Sequence, residues 1–240
     1  MRTANWFTLG IVGLSNFPRT IPTQTTATID PEWIAAEAIR RINSPSVTMD
    51  EAAVCVCFGQ QLRDLGLDMD IREVTPGRNN LYACIPGTGD GPGLIFNGHL
   101  DTIPIGDHAP PYREGDRLYG RGSTDMKGGM AAMLGAARAL LQSDVQLQGD
   151  VWLTAVVGHE EVEANKDGPK ARIEDINTGR IGGDRISILE GRDALWVMSM
   201  GSMVFTITLT SDKGGMHTQY VPFSENPIRF VGELIQCIYN

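Results

Sequence analysis

The stretch IFNGHLDTIP, Ile95 to Pro104, begins as an apolar strand and then places His99 and Asp101 two residues apart. Side chains at positions i and i+2 of an extended segment point to the same side of the chain. A carboxylate beside a histidine can fix the tautomer of the ring and turn its other nitrogen toward a metal ion. The stretch therefore predicts a metal ligand, His99, with an orienting acid, Asp101, at the end of a core strand. A solvated turn after the strand is the alternative that this stretch alone leaves open.

Apolar runs on both sides of this stretch indicate the rest of a sheet. NNLYACIPG precedes it, and DVWLTAVVG and RISILEG follow it, at residues 79–87, 150–158 and 185–191. Runs that are apolar nearly throughout are typical of strands inside parallel sheets. DMKGGMAAMLGAARALLQ, residues 125–142, is small and apolar nearly all round and predicts a buried helix. Strand, helix and strand at this spacing predict an α/β fold, with a mostly parallel central sheet flanked by helices.

Two further helices are predicted before the sheet. DPEWIAAEAIRRI begins with Asp30 as the N-cap and Pro31 at the first helical position. In TMDEAAVCVCFGQQLRDLG, Thr48 and Glu51 have the spacing of a capping box, and Gly66 is placed to end the helix. These residues set the expected ends of the two helices.

A change of sequence pattern near residue 200 divides the chain. Residues 1–30, whose second half is rich in Thr, Pro and Ser, are expected to form a flexible leader. Residues 31–200 contain the predicted sheet and are expected to form a metal-binding catalytic domain. After Gly201, MVFTITLTS alternates apolar and polar residues, as an antiparallel strand with one solvated face does. Residues 201–240 are therefore predicted to begin a smaller α+β domain.

Four more acidic side chains are expected at the edge of the sheet that carries His99. They follow apolar strands or precede the buried helix, and they are Asp125, Glu160, Glu161 and Glu190. Ligands of open α/β sheets bind outside the carboxyl ends of the strands, which is where these side chains are expected. Singly, each could be an N-cap or a solvated turn acid. Their arrival at one rim is hard to explain by core packing, and it favours a metal site.

The adjacent pair Glu160 and Glu161 suits metal-dependent hydrolysis. In extended chain the two side chains diverge, so that one can bind a metal ion while the other faces a bound water. A metal ion lowers the pKa of water from about 15.7 toward about 7. A nearby carboxylate can then take the proton of the water and deliver it to the leaving group.

The overall composition argues against several other classes of protein. Lys and Arg number 20 against 29 Asp and Glu, which gives a formal net charge of −9 and disfavours nucleic acid or anionic membranes as partners. No apolar run approaches the roughly 20 residues of a membrane span, and WFTLGIVGL near the start lacks a following small-residue cleavage site. A cytoplasmic location is therefore expected. The four cysteines lack C-x-x-C spacing and are expected to be reduced.

Taken together, the motifs resemble those of the zinc aminoacylase and exopeptidase family, which includes acetylornithine deacetylase, succinyl-diaminopimelate desuccinylase, aminoacylase and glutamate carboxypeptidase. In order, they are GHLDTIP, YGRGSTDMKGGM, HEE, ILEG and SDKGGMHT, within about residues 33–240. The long motifs that carry glycine and acid are specific, whereas HEE alone is not. The resemblance implies a metal-dependent hydrolase that cleaves the amide bond of N-acyl amino acids or short peptides.

The resemblance also implies a role for each site residue. The ligands of two zinc ions, for which cobalt or manganese can substitute, would be His99, Asp125, Glu161 and Glu190. Asp125 would bridge the two ions. Glu160 would act as the general base, and Asp101 would orient His99.

A histidine beyond the predicted sheet, His217 in KGGMHT, bears on whether the protein forms a dimer. It resembles the histidine with which the family's smaller domain reaches the active site of a partner subunit and polarises the substrate carbonyl. The resemblance therefore implies a homodimer formed through the smaller domain. A surface histidine is the alternative for His217.

The sequence departs from the family's pattern at its end. Family members are longer, and a histidine in their last segment binds the second metal ion. Here the sequence stops at Asn240, which leaves three of the implied ligands for the first ion and two for the second. One retained ion is therefore expected, unless His159 or His108 completes the second site. A non-catalytic remnant that binds metal or a partner is the alternative function.

Overall fold

The computed structural model describes residues 28–106 and 110–190, together with Val231, Glu233 and Gln236. Most of the predicted leader and of the predicted smaller domain lies outside the described residues, as do His108 and His217. The expectations for those parts of the chain stay predictions.

The centre of the described part is a five-stranded sheet with the strand order β1-β2-β6-β3-β7. Its strands are β1 (Met69–Thr75), β2 (Arg78–Ile85), β3 (Leu94–His99), β6 (Val151–Val156) and β7 (Arg185–Ile188). Strand β3 pairs in parallel with β6 and β7, whereas β2 pairs antiparallel with β1 and β6. Four of these five strands therefore run in one direction, which confirms the predicted mostly parallel sheet. The short strands β4 (Tyr112–Glu114) and β5 (Arg117–Tyr119) form a separate hairpin.

Helices cover both faces of the sheet, as predicted. They are α1 (Pro31–Ile42), α2 (Ala52–Asp64), α3 (Gly128–Leu141) and α4 (Asp167–Asn177). The larger apolar cluster joins α2 and α3 to one face of the sheet, with Phe58, Leu134 and Leu153 at its centre. The opposite face carries a smaller cluster around Tyr82 and Ile95. No described helix is long and apolar enough to cross a membrane.

The start of α1 agrees with the sequence prediction, since one carboxylate oxygen of Asp30 accepts hydrogen bonds from the backbone N–H groups of Glu32 and Trp33, each at 3.1 Å. Cys55, Cys57 and Cys84 are free, also as expected. Gly66, with φ of +75°, follows the last turn of α2 and ends it in the predicted place.

The predicted capping box of α2 was wrong. Glu51 precedes the helix, but its side chain makes no capping hydrogen bond. The Thr48 hydroxyl donates to a carboxylate oxygen of Asp101 at 2.8 Å. Glu51 instead accepts two hydrogen bonds from the Arg78 guanidinium, at 2.7 and 2.8 Å, and one from the backbone N–H of Gly158 at 3.0 Å. Both side chains therefore serve long-range contacts that a local sequence motif does not reveal.

A close approach between α3 and the end of β7 depends on Gly129. A Cβ atom at this position would lie 1.9 Å from the backbone oxygen of Leu189, which is too short for any side chain. Glycine therefore lets the helix lie directly beside the strand that leads to Glu190.

The buried pair of Glu51 and Arg78 yields a first prediction. Glu51→Gln removes the charge that faces a buried guanidinium, and breaking a buried pair from one side costs about 3–5 kcal/mol. We expect the free energy of unfolding, measured by urea denaturation, to fall by about that amount. Glu32→Gln is the matched control, because Glu32 makes the same two-pronged contact with Arg113 at an exposed position. Equal unfolding midpoints for the two variants would contradict the prediction.

Candidate metal centre

The candidate site lies at the carboxyl ends of three parallel strands, β6, β3 and β7. Their last residues are Val156, His99 and Ile188. Because neighbouring parallel strands end at the same edge of a sheet, the segments that follow them converge. Those segments carry Asp101, Glu160 and Glu190.

Asp125 reaches the same edge from a different direction. It lies in the irregular turn Ser123–Lys127, with φ of −119° and ψ of 96°, and its peptide bond to Met126 is cis. The helix that was expected to begin at Asp125 begins at Gly128 instead. Lys127 fixes this turn, because its buried ammonium group donates to the backbone oxygens of Arg41 and Ser44 at 3.0 and 2.8 Å. The Asp125 carboxylate is thereby held at the rim without capping the helix.

His99 is the buried centre of the cluster, with 2% of its side chain exposed. Its Nδ1 lies 2.9 Å from the backbone oxygen of Asp101. A proton on Nδ1 satisfies this contact and leaves Nε2 to face the carboxylates. Its Nε2 lies 2.8 Å from Asp125 Oδ1, 3.3 Å from Glu160 Oε1 and 3.9 Å from Glu190 Oε1. The nitrogen that a metal ion would use is therefore surrounded by three acids that arrive on separate segments.

The Asp101 carboxylate holds the segment that carries Glu160. It accepts hydrogen bonds from the backbone N–H groups of His159 and Glu160, the shortest at 2.8 Å, and from the Thr48 hydroxyl. Its nearer oxygen is 3.6 Å from His99 Nδ1, so that the backbone oxygen of Asp101 makes the closer contact with the ring. Asp101 therefore orients His99 mainly through its backbone and positions the 159–160 segment through its side chain.

The pKa values of the cluster reflect crowding of acids around one imidazole. Burial raises the pKa values of Glu160 and Glu190, and the negative charge of Asp125 raises both further. The hydrogen bond to His99 lowers the pKa of Asp125. Burial alone would lower the pKa of His99, but its contacts with Asp101 and Asp125 outweigh burial and raise that pKa to about 10. A bound cation would neutralise the excess negative charge of these carboxylates.

His159 also belongs to the cluster, although the sequence alone assigned it only an alternative role, that of completing a second metal site. Its ring stacks on that of His99, with centroids 4.6 Å apart and planes 13° apart. Among the described residues, two groups of side chains could each hold a metal ion. In each group, one possible ligand atom from every residue lies within 4.8 Å of the others. One group is His99, Asp125 and Glu160, and the other is His99, His159 and Glu190. Glu161 belongs to neither set, and its role as a ligand stays a prediction.

The donor types fit a borderline transition metal. Imidazole nitrogen together with carboxylate oxygen suits zinc, cobalt or manganese, and the buried histidine disfavours calcium, which takes oxygen ligands. Next to the cluster, a cleft of about 200 Å³ is lined by Thr102, Ile103, residues 120–125 and Glu160. The acids of the cluster thus border a space large enough for a small ligand.

Comparisons with known proteins place the chain in a family of peptidases. Residues 95–225, more than half of the chain, match the family described as peptidase family M20/M25/M40. The chain belongs to this family.

Solved structures share its fold. Aminopeptidase PepT from Bacillus cereus is 25% identical with a TM-score of 0.57, and the match covers 68% of this chain and 44% of that one. An M20 family metallo-carboxypeptidase from Sulfolobus solfataricus is 22% identical with a TM-score of 0.56, over 65% of this chain and 37% of that one. Human carnosine dipeptidase 1 is 20% identical with a TM-score of 0.52, over 73% of this chain and 42% of that one. The chain therefore spans less than half the length of these relatives.

The contacts of Asp101 yield a second prediction. In Asp101→Asn an amide N–H₂ group replaces an oxygen that now accepts hydrogen bonds, so that the 159–160 segment and His99 lose their fixed positions. We expect the affinity for zinc, measured by competition with a chromophoric chelator, to fall about 10–100-fold. Asp144→Asn, at an exposed position, is the control and should bind zinc as the wild type does. Unchanged affinity in Asp101→Asn would remove its positioning role.

Proposed function

We propose that the chain carries the metal-binding part of a hydrolase that cleaves the amide bond of short peptides or N-acyl amino acids. The observation that supports this most is the position of His99 Nε2, within 3.9 Å of carboxylates from Asp125, Glu160 and Glu190, beside a cleft. Family membership supports the same reaction class. The names of the structural relatives, an aminopeptidase, a carboxypeptidase and a dipeptidase, favour short peptides over other amides.

Three residues would hold the first metal ion in this proposal: His99, Asp125 and Glu190. Three protein ligands with one open position are the usual arrangement of a catalytic zinc site. Zinc, when bound, supplies a Lewis acid that polarises the substrate carbonyl and lowers the pKa of water. Glu161 is proposed as a ligand of a second ion on the sequence resemblance alone.

Glu160 is proposed as the general base. Its side chain is 19% exposed, and the residue lines the cleft, so that its carboxylate can meet both water and substrate. Burial raises its pKa above that of an ordinary glutamate, and a more basic carboxylate is better suited to take a proton from water and pass it to the leaving nitrogen. The backbone N–H of Glu160 donates a hydrogen bond to the Asp101 carboxylate at 2.8 Å, which fixes the position of this residue at the edge of the sheet.

A third prediction separates a base from a ligand at position 160. Glu160→Gln should lower kcat at least about 10²–10⁴-fold toward a panel of dipeptides and N-acyl amino acids, while its metal content stays near that of the wild type. Glu163→Gln, an exposed glutamate three residues further on, is the matched control and should keep full activity. Loss of metal in Glu160→Gln, measured by elemental analysis, would make Glu160 a ligand. Metal binding without any turnover in the wild type would favour the non-catalytic alternative.

The proposal extends to a homodimer in which His217 of one subunit completes the site of the other. This rests on the sequence resemblance, since His217 lies outside the described residues. It gives a fourth prediction: inactive His217→Ala subunits mixed with inactive Glu160→Gln subunits should regain roughly a quarter of wild-type activity. Half of the dimers would be mixed, and each would contain one intact site. No recovery after subunit exchange, verified by mass spectrometry, would remove the role in the partner subunit.

A further inference from the structure

Arg121 is the one cationic side chain among the described residues that line the cleft beside the candidate metal centre. Asp125 and Glu160 line the same cleft, but neither forms an ion pair with Arg121. The guanidinium of Arg113, in the preceding hairpin, is by contrast paired with Glu32. Arg121 is therefore a positive charge at the cleft that no described acid neutralises by contact.

The guanidinium of Arg121 has the chemistry of an anion receptor. Its side chain is half-buried, and its Nε is enclosed without a hydrogen-bond partner. The two terminal nitrogens are not enclosed, and no described residue accepts a hydrogen bond from them. An arginine stays charged in proteins, and its planar fork matches the two oxygens of a carboxylate. The terminal nitrogens can therefore bind an anionic group of a ligand in the cleft.

Two glycines hold the backbone of Arg121 in a tight loop. Gly120 and Gly122 have φ of +152° and +83°, and the N–H of Ser123 donates to the backbone oxygen of Gly120 at 3.1 Å. A Cβ atom at Gly122 would lie 2.8 Å from the side-chain methyl of Thr102, so that the loop packs directly against the segment that follows β3. The backbone of Arg121 is thereby fixed relative to the end of that strand.

The size of the cleft limits how far the anionic group can lie from the amide that is cleaved. The cleft has a volume of about 200 Å³, below the roughly 300–1,000 Å³ of sites for drug-sized ligands. Both the proposed base, Glu160, and Arg121 line it, so that a single amino-acid residue can extend from the reacting carbonyl to the guanidinium. The anionic group one residue beyond the last amide bond of a peptide is its α-carboxylate.

We propose that Arg121 binds the α-carboxylate of the substrate and thereby selects compounds that are cleaved at their last amide bond. This rests on the proposed function, and it narrows the substrates to dipeptides, other peptides cleaved at the carboxyl end, and N-acyl amino acids. Without Arg121 a substrate carboxylate would face the acids of the cluster unpaired. Recognition of a terminal ammonium group, which an aminopeptidase needs, would require an acid where this chain has a cation.

The fifth prediction tests this with Arg121→Gln, which removes the charge but keeps a side chain that can form hydrogen bonds. The substrates are the dipeptide or N-acyl amino acid that the wild type cleaves fastest and the carboxamide of the same compound. For the acid, KM should rise about 10–100-fold with little change in kcat. For the carboxamide, the wild type and the variant should not differ. Arg117→Gln, at an exposed position in β5, makes the same change of charge and should behave as the wild type.

Binding without turnover provides a second readout. Isothermal titration calorimetry of zinc-loaded Glu160→Gln should find the acid bound about 10–100-fold more tightly than its carboxamide. Adding Arg121→Gln should abolish this preference. Adding Arg121→Lys should keep part of it, because lysine has the charge but not the planar fork. Circular dichroism spectra check that all variants fold alike.

The outcomes separate this inference from the proposed function. A wild type that cleaves the acid and the carboxamide equally well would overturn the role of Arg121 and leave the hydrolase proposal intact. A preference for the acid that survives Arg121→Gln would assign the carboxylate to another group, such as bound zinc. An equal fall in kcat for both compounds would place Arg121 at the reacting carbonyl instead. A wild type that neither cleaves nor binds either compound would overturn both proposals.

Discussion

The site depends on the hydrogen bonds that the Asp101 carboxylate accepts. Its oxygens accept hydrogen bonds from Thr48, before α2, and from the backbone N–H groups of His159 and Glu160, after β6. Asp101 itself follows β3, so that one buried side chain joins three segments that are far apart in sequence. The same residue turns the His99 ring through its backbone oxygen. The direction of the imidazole and the path of the 159–160 segment are therefore fixed together.

Much of the fold could be predicted because buried strands and helices have a recognisable apolar sequence pattern. Strands β3 and β6 are apolar nearly throughout, and α3 consists of small and apolar residues, so that both patterns predict elements covered on each side. The capping box at Thr48 and Glu51 was wrong for a physical reason. Both side chains hydrogen-bond to buried partners instead of the helix terminus, and those partners, Asp101 and Arg78, come from distant segments.

The site was predictable only in part. Strand ends located His99, Glu160 and Glu190 at one rim, because the ends of parallel strands converge whatever the loops do. Which of the residues 159–161 faces the cluster depends on the turn after β6, where Gly158 has φ of +63°. A turn of this kind ends the alternation of an extended chain, so that the sequence alone could not choose between His159 and Glu161 as neighbours of His99.

The hydrogen bonds by which Glu51 and Asp101 hold residues 158–160 come from backbone N–H groups, and this has a consequence for substitutions in this segment. A peptide N–H is present for every amino acid except proline, so that the scaffold does not specify which side chain stands at position 159. The 159–160 segment can therefore keep its course when the side chain at position 159 is replaced. A substitution at position 159 would change the side chain that stacks on His99 without removing the backbone hydrogen bonds that hold the segment.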